Sequence, residues 1–258
     1  PLTCRLKDKW VFLLACVLLI QPLPLYYVIR ACLDPSFITP AIPTRSFWDA
    51  TFAVQSHGSF LETVRVNLWE GQIASLAWAW DHGRVFQTAA LFLLGMLIGR
   101  RGLFQKENLK VWNKILAGAL IAFFPLYGLG NMLPAFIVNK SILTPLSLII
   151  TSLSNFSFML VLVSGVIFAF YNTNMHYLLM KITPYGKMSL TNYITQSIVG
   201  SMLYYNWGFA LHNQCGITVS CLAGIAFFIL QFTFCRWWMS HHSHGPMEYI
   251  WKRATWLK

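Results

Sequence analysis

Ser189, Thr191, Asn192, Tyr193, Thr195, Gln196 and Ser197 crowd hydrogen-bonding groups into the first half of an apolar stretch that runs from Met188 to Asn206. Ser189, Asn192, Gln196 and Gly200 stand at i, i+3, i+7 and i+11, so on a helix they share one face. Polar groups set against hydrocarbon are costly without partners, so this face must look toward other helices or a wet cavity. Two readings stay open: Asn192 and Gln196 join helices while the small serines and glycine permit close approach, or Ser189, Asn192, Tyr193, Gln196 and Ser197 line a substrate cavity. The stripe holds no ionisable acid or base, so it would orient a ligand rather than move protons.

His57 opens a His-Gly-Ser-Phe sequence followed by Glu62 and Arg65, a pattern that suits a general base near an outer mouth or an interfacial histidine beside an i, i+3 ion pair. Asp81, His82 and Arg84 stand before an apolar run and are read as fixing its end. His241, His242 and His244 cluster without a carboxylate or thiolate at helical spacing, which favours a turn in contact with lipid headgroups over a metal centre. No Gly-x-Ser-x-Gly elbow, phosphate loop or His-Glu-x-x-His occurs, which argues against a self-contained hydrolase or ATPase. These residues identify neither a metal site nor a cofactor.

The elements that must hold such groups follow from composition. Of 258 residues, 57% are hydrophobic and 10% charged, against roughly a quarter charged in a soluble domain. Runs without Asp, Glu, Lys or Arg extend from Ile115 to Asn139, Ser141 to Met180 and Met188 to Cys235, and a hydrocarbon slab about 30 Å thick needs roughly 20 apolar residues to cross. The chain therefore reads as an all-α polytopic membrane bundle with about six spans: Trp10–Ile29, Val85–Gly99, Lys114–Met132, Pro145–Tyr171, Met188–Asn206 and Gly216–Cys235. A net charge of +11 does not signal nucleic acid, because the basic residues flank apolar spans, the pattern of membrane orientation and anionic-lipid attraction. With the N-terminus inside, Lys7, Arg100, Arg101, Lys187, Arg236 and most other basic residues face the cytoplasm, and so do both ends of the chain.

Between Arg30 and Arg84, Trp48, Phe52, Phe60, Trp69, Trp78 and Trp80 lie among charges, which predicts a loop and then an interfacial or re-entrant helix near Phe60–Trp80 over the outer mouth. After Gly245-Pro246, the apolar residues Met247, Ile250, Trp251, Ala254 and Leu257 separate from Lys252, Arg253 and Lys258, as in an amphipathic helix lying in the inner headgroup layer. The six cysteines, among them Cys4, show no paired spacing, and whether Cys32 and Cys215 join is left open. A start at Pro1 rather than Met is read as a fragment of a longer protein, not as a signal peptide.

Thr183-Pro184-Tyr185-Gly186-Lys187-Met188-Ser189-Leu190-Thr191-Asn192-Tyr193 with Gln196-Ser197, Trp237-Trp238, and Gly245-Pro246-Met247-Glu248 leading to Trp251-Lys252-Arg253 carry a resemblance. The stretch resembles the C-terminal domain of the YeiB-type bacterial inner-membrane proteins, a domain named only as one of unknown function. Weaker likeness runs upstream through Gly58-Ser59-Phe60 and Leu94–Arg100. The resemblance divides the chain into residues 1–181, with four spans and the 30–84 segment, and a C-terminal segment over 182–258. It implies a multi-pass inner-membrane protein of unassigned activity, in a family called transport proteins and distantly similar to membrane acyltransferases. Its partners would be the lipid bilayer and a small-molecule or acyl-donor ligand, with no nucleic acid. Acyl transfer to a small envelope metabolite leads, and transport or a structural membrane subunit is the alternative. Transport would call for broken helices at mid-membrane, and Pro125 with Gly128 and Gly130 offers one such break.

Overall fold

Hydrocarbon offers no water to backbone N–H and C=O groups, so a chain this apolar must satisfy them within its own segments, and helices do so. The computed structural model describes residues 5–40 and 44–256, the side chain of residue 173 excepted, and every regular element among them is helical. The expectations that rest on Pro1, Cys4, Leu257 and Lys258 lie outside the described residues. Two compact units emerge, Pro1–Thr44 with Ala74–Asn172, and Arg45–Ile73 with Thr173–Lys258.

The first unit is built from α1 (Asp8–Leu19), α2 (Pro22–Leu33), the latter part of α5 (Glu70–Asp81), α6 (Arg84–Arg100), α7 (Leu109–Phe136) and α8 (Lys140–Tyr171). Helices α7 and α8 form an antiparallel hairpin, turned by Asn139, whose side chain accepts from the Ser141 N–H at 2.9 Å. Helix α1 lies antiparallel to α6, burying Val11, Ala15, Leu93 and Leu97 between them. At one end of this pair Asp8 meets Arg100 at 3.3 Å and Arg101 at 3.0 Å, so the carboxylate at the start of α1 faces the cations at the end of α6. At the other end α2 leaves α1 and packs along α8.

Three stretches among the described residues are long and apolar enough to cross a membrane: Lys106–Phe136, Lys140–Tyr171 and Ile217–His241. Two bent pairs bring the number to as many as five, where the sequence suggests about six. The predicted single span Trp10–Ile29 is broken, since α1 and α2 meet at a bend of 51°. The predicted span Met188–Asn206 is a helix of only 16 residues, about 24 Å long at 1.5 Å per residue and short of the roughly 30 Å slab. Pro125 does not interrupt α7, which runs through it for 28 residues. Pro145 likewise lies inside α8, a helix of 32 residues.

The second unit holds α3 (Thr44–His57), α4 (Phe60–Leu68), α9 (Thr173–Lys187), α10 (Ser189–Tyr204), α11 (Ile217–His241) and α12 (Pro246–Thr255). The segment expected as a loop followed by one helix contains α3, α4 and α5. Ser59 and Glu62 close a capping box on α4, with the Ser59 N–H and hydroxyl donating to the Glu62 carboxylate at 2.8 and 2.9 Å. Glu62 is thereby engaged, and the ion pair expected with Arg65 is absent among the described residues. The end of α10 is tied to this region by the Asn206 N–H, which donates to the Gln55 carbonyl at 3.0 Å, and by an edge contact of Trp207 on Phe60. Helix α12 begins at Pro246 as expected, since proline lacks the N–H that a first helical turn leaves unused. Cys32 and Cys215 are both free thiols.

Candidate functional site

Gln21 follows α1 and precedes Pro22, and the proline ring disfavours an α-helical conformation for the residue before it. Its backbone turns left-handed, at φ 61°, and Pro22 restarts the chain as α2. The Gln21 side chain is fully buried. Its Nε2 donates to the Ser152 hydroxyl of α8 at 3.0 Å, and its Oε1 is a buried acceptor with no partner among the described residues.

Gly83, between α5 and α6, is also left-handed, at φ 62°. A Cβ there would collide with the Gln21 side-chain oxygen and come within 3.0 Å of Leu148, so both the backbone and the space demand glycine. The two interruptions therefore touch. Gly83 stands at the break between α5, which ends at Asp81, and α6, which begins at Arg84. From the first turn of α6, Gln87 donates to the Ser152 carbonyl at a long 3.4 Å and accepts from Arg84 Nη1 at 2.9 Å.

Beside this junction lies a cavity of about 760 Å³, within the range of small-molecule sites. It is walled by the first turns of α2, α6 and α8, with Tyr27, Thr39, Trp80, Asp81 and His82 and the α8 residues as far as Asn155. Asp81, Arg84 and Lys140 all reach it, and none forms an ion pair among the described residues. His82 Nδ1 lies 3.0 Å from the Trp78 carbonyl, which can only accept, so Nδ1 carries a proton, and a neutral ring held this way has its lone pair on Nε2. The imidazole stacks on Trp78 at 4.9 Å, and the Arg84 guanidinium lies over the same indole at 5.7 Å. Asp81, His82 and Arg84 thus line a cavity besides standing at the start of α6. Gln21, Gly83, Lys140 and Ser152 were missed by sequence reasoning, although a glutamine set before Pro-Leu-Pro inside an apolar run was a signal.

The stripe on α10 lies in the other unit, and its members diverge. Asn192 is buried, donates to the Tyr185 carbonyl at 3.0 Å and accepts from Cys235 Sγ at 3.2 Å. Gln196 donates to Gln231 Oε1 at 2.9 Å and to the Tyr185 hydroxyl at 3.0 Å, while Gln231 Nε2 donates to the Asn192 carbonyl at 3.2 Å. These bonds join α9, α10 and α11. Ser189, Tyr193 and Ser197 are exposed, with the Ser197 hydroxyl turned back onto the Tyr193 carbonyl. His57 is exposed at the end of α3.

Glu248 of α12 completes the start of α10. Its carboxylate accepts from the Leu190 N–H at 2.7 Å, the Thr191 N–H at 3.1 Å and the Thr191 hydroxyl at 2.5 Å. Burial pushes its pKa up, but the Thr191 and Leu190 hydrogen bonds, with one from its own N–H, outweigh that and hold it below the usual value. A Cβ on Gly245 would strike the same carboxylate. His241 and His242 bond backbone carbonyls one turn earlier, at Trp237 and Trp238, and no metal-ligand cluster forms among the described residues.

Known proteins match in part. Uncharacterized protein YxaH of Bacillus subtilis is 30% identical over 95 residues, 37% of this chain and 24% of that protein. An uncharacterized 39.9 kDa protein from the amylase 3' region of Bacillus acidopullulyticus is 32% identical over 78 residues, 30% of this chain and 22% of its own. Uncharacterized protein YeiB of Escherichia coli is 29% identical over 83 residues, 30% of this chain and 20% of its own. The match thus covers about a quarter or less of each relative. No solved structure matches. A family profile takes in residues 98–258, more than half of the chain and all of α7 to α12, and the protein therefore belongs to the family described as Protein of unknown function (DUF418).

Proposed function

We propose that this chain forms the ligand-binding part of a bacterial inner-membrane protein that moves a small polar molecule across the bilayer. The observation that carries the reading is the contact between two interrupted helices, at Gln21 and Gly83, beside the cavity. Interrupted helices are tolerated at membrane depth where they line a cavity, and transporters place substrate at such breaks. On this reading Asn192 and Gln196 join helices rather than line the site.

His82 favours a second reading. A neutral imidazole whose Nδ1–H is held by a carbonyl presents Nε2 as a base, as acyl transfer to a hydroxyl or amine in the cavity would require. The acyl donor would then be a ligand of the whole protein.

The test compares cells with and without the intact gene, measuring polar metabolites inside and outside and acyl groups on envelope lipids and glycans. A changed metabolite distribution with an unchanged envelope, reversed by wild type but not by Gln21→Leu, supports transport. A missing acyl group, restored by wild type but not by His82→Gln, moves the assignment to transfer. If neither changes, both readings fall.

A further inference from the structure

Arg84 is the first residue of α6 and Lys140 the first of α8, and both side chains line the same cavity. A helix N-terminus carries partial positive charge, so a cation there works against helix stability. Neither first turn holds an acid to offset it. Resting on the reading of this cavity as a ligand site, we propose that its ligand carries an anionic group, a carboxylate or phosphate, held by Arg84 and Lys140.

An anion between these side chains offsets the unfavourable placement because it meets two cations; the Ser141, Ile142 and Leu143 N–H groups at the start of α8 are already bonded to Asn139, so the side chains carry the contact. Gln87 fixes one edge of the Arg84 guanidinium and the Trp78 ring supports its face, which leaves other N–H groups of the fork for the ligand. Asp81 faces the same space and lowers the formal charge from +2 to +1. With His82 Nε2 it supplies acceptors, so a ligand that also bears a hydroxyl or amine fits best. Leu23, Pro24 and Leu148 form the apolar wall against its carbon frame.

The test places a thiol in the cavity with Thr144→Cys, in the full-length protein otherwise stripped of cysteines and held in detergent. Labelling rates are measured for a sulfonate-bearing thiosulfonate reagent and its trimethylammonium counterpart, each normalised to the same variant denatured. The expected preference for the anionic reagent is about tenfold, reduced to within about twofold by Lys140→Gln with Arg84→Gln and enlarged by Asp81→Asn. Acetate or inorganic phosphate should slow labelling beyond the effect of equal ionic strength of sodium chloride, and glycerol should not. Equal rates for the two reagents overturn the anion assignment and leave the cavity reading standing. So does selectivity without protection by either anion. A thiol that reacts only after denaturation overturns the cavity reading and the inference with it.

Discussion

Truncating Glu248 to alanine removes the acceptor shared by two backbone N–H groups and one hydroxyl at the start of α10. Hydrogen bonds to a charged acceptor contribute roughly 1.5–3 kcal/mol each when buried. Glu248 is only partly buried, water can replace some of these contacts, and desolvation of the carboxylate opposes them, so the expected loss is about 2 kcal/mol in all. Glu248→Gln keeps one acceptor oxygen and should lose about half as much. The assay is thermal unfolding of the detergent-solubilised protein across pH, with proteolysis after Lys252 reporting release of α12. The carboxyl pKa is lowered from 4.5 in the folded state, so its stabilisation is present above that value and is lost as pH falls through the lower folded value. Wild type should therefore converge on Glu248→Gln under acid and exceed it near neutrality. Equal melting temperatures for wild type and Glu248→Ala at neutral pH would refute the reasoning.

Asn192→Ala removes one of two donors to the Tyr185 carbonyl, which keeps the Met188 N–H at 3.3 Å, and takes away the acceptor of the Cys235 thiol; it should cost about 1–2 kcal/mol, with Gln196→Ala costing less because that side chain is more exposed. Reduced abundance and melting temperature are expected; lost activity at unchanged abundance would return the α10 stripe to the substrate site. Gly83→Val combines left-handed strain with a clash on Gln21 and should destabilise by about 3 kcal/mol or more, read as lower yield of folded protein. Wild-type yield from that variant would show that the two helix breaks do not touch.

Much of the fold was legible because lipid imposes a one-dimensional rule: a long uncharged run must cross as a helix. Val85–Gly99, Lys114–Met132 and Pro145–Tyr171 fall within observed helices, Gly216–Cys235 begins at the residue that caps α11, and Gly245-Pro246 marks the start of α12. Proline counted poorly as a break signal. Pro125 stays within α7, whereas Pro22 opens a new helix. The difference lies in what surrounds each: a buried glutamine with a partner on α8 stabilises the departure at Gln21, and the pattern along the chain does not reveal such a partner.

Residue types and spacing alone determined that the chain is an apolar, all-helical membrane protein, that α10 carries a polar face and that α12 is amphipathic, since each depends on neighbours within a turn or two. Tertiary structure alone decided that Gln21 touches Gly83, that Arg84 and Lys140 share a cavity and that Asn192 and Gln196 meet Gln231. Gln21 and Ser152 are separated by 131 positions, and a contact across that distance is set by which helix faces pack together, a choice that periodicity along one helix does not encode.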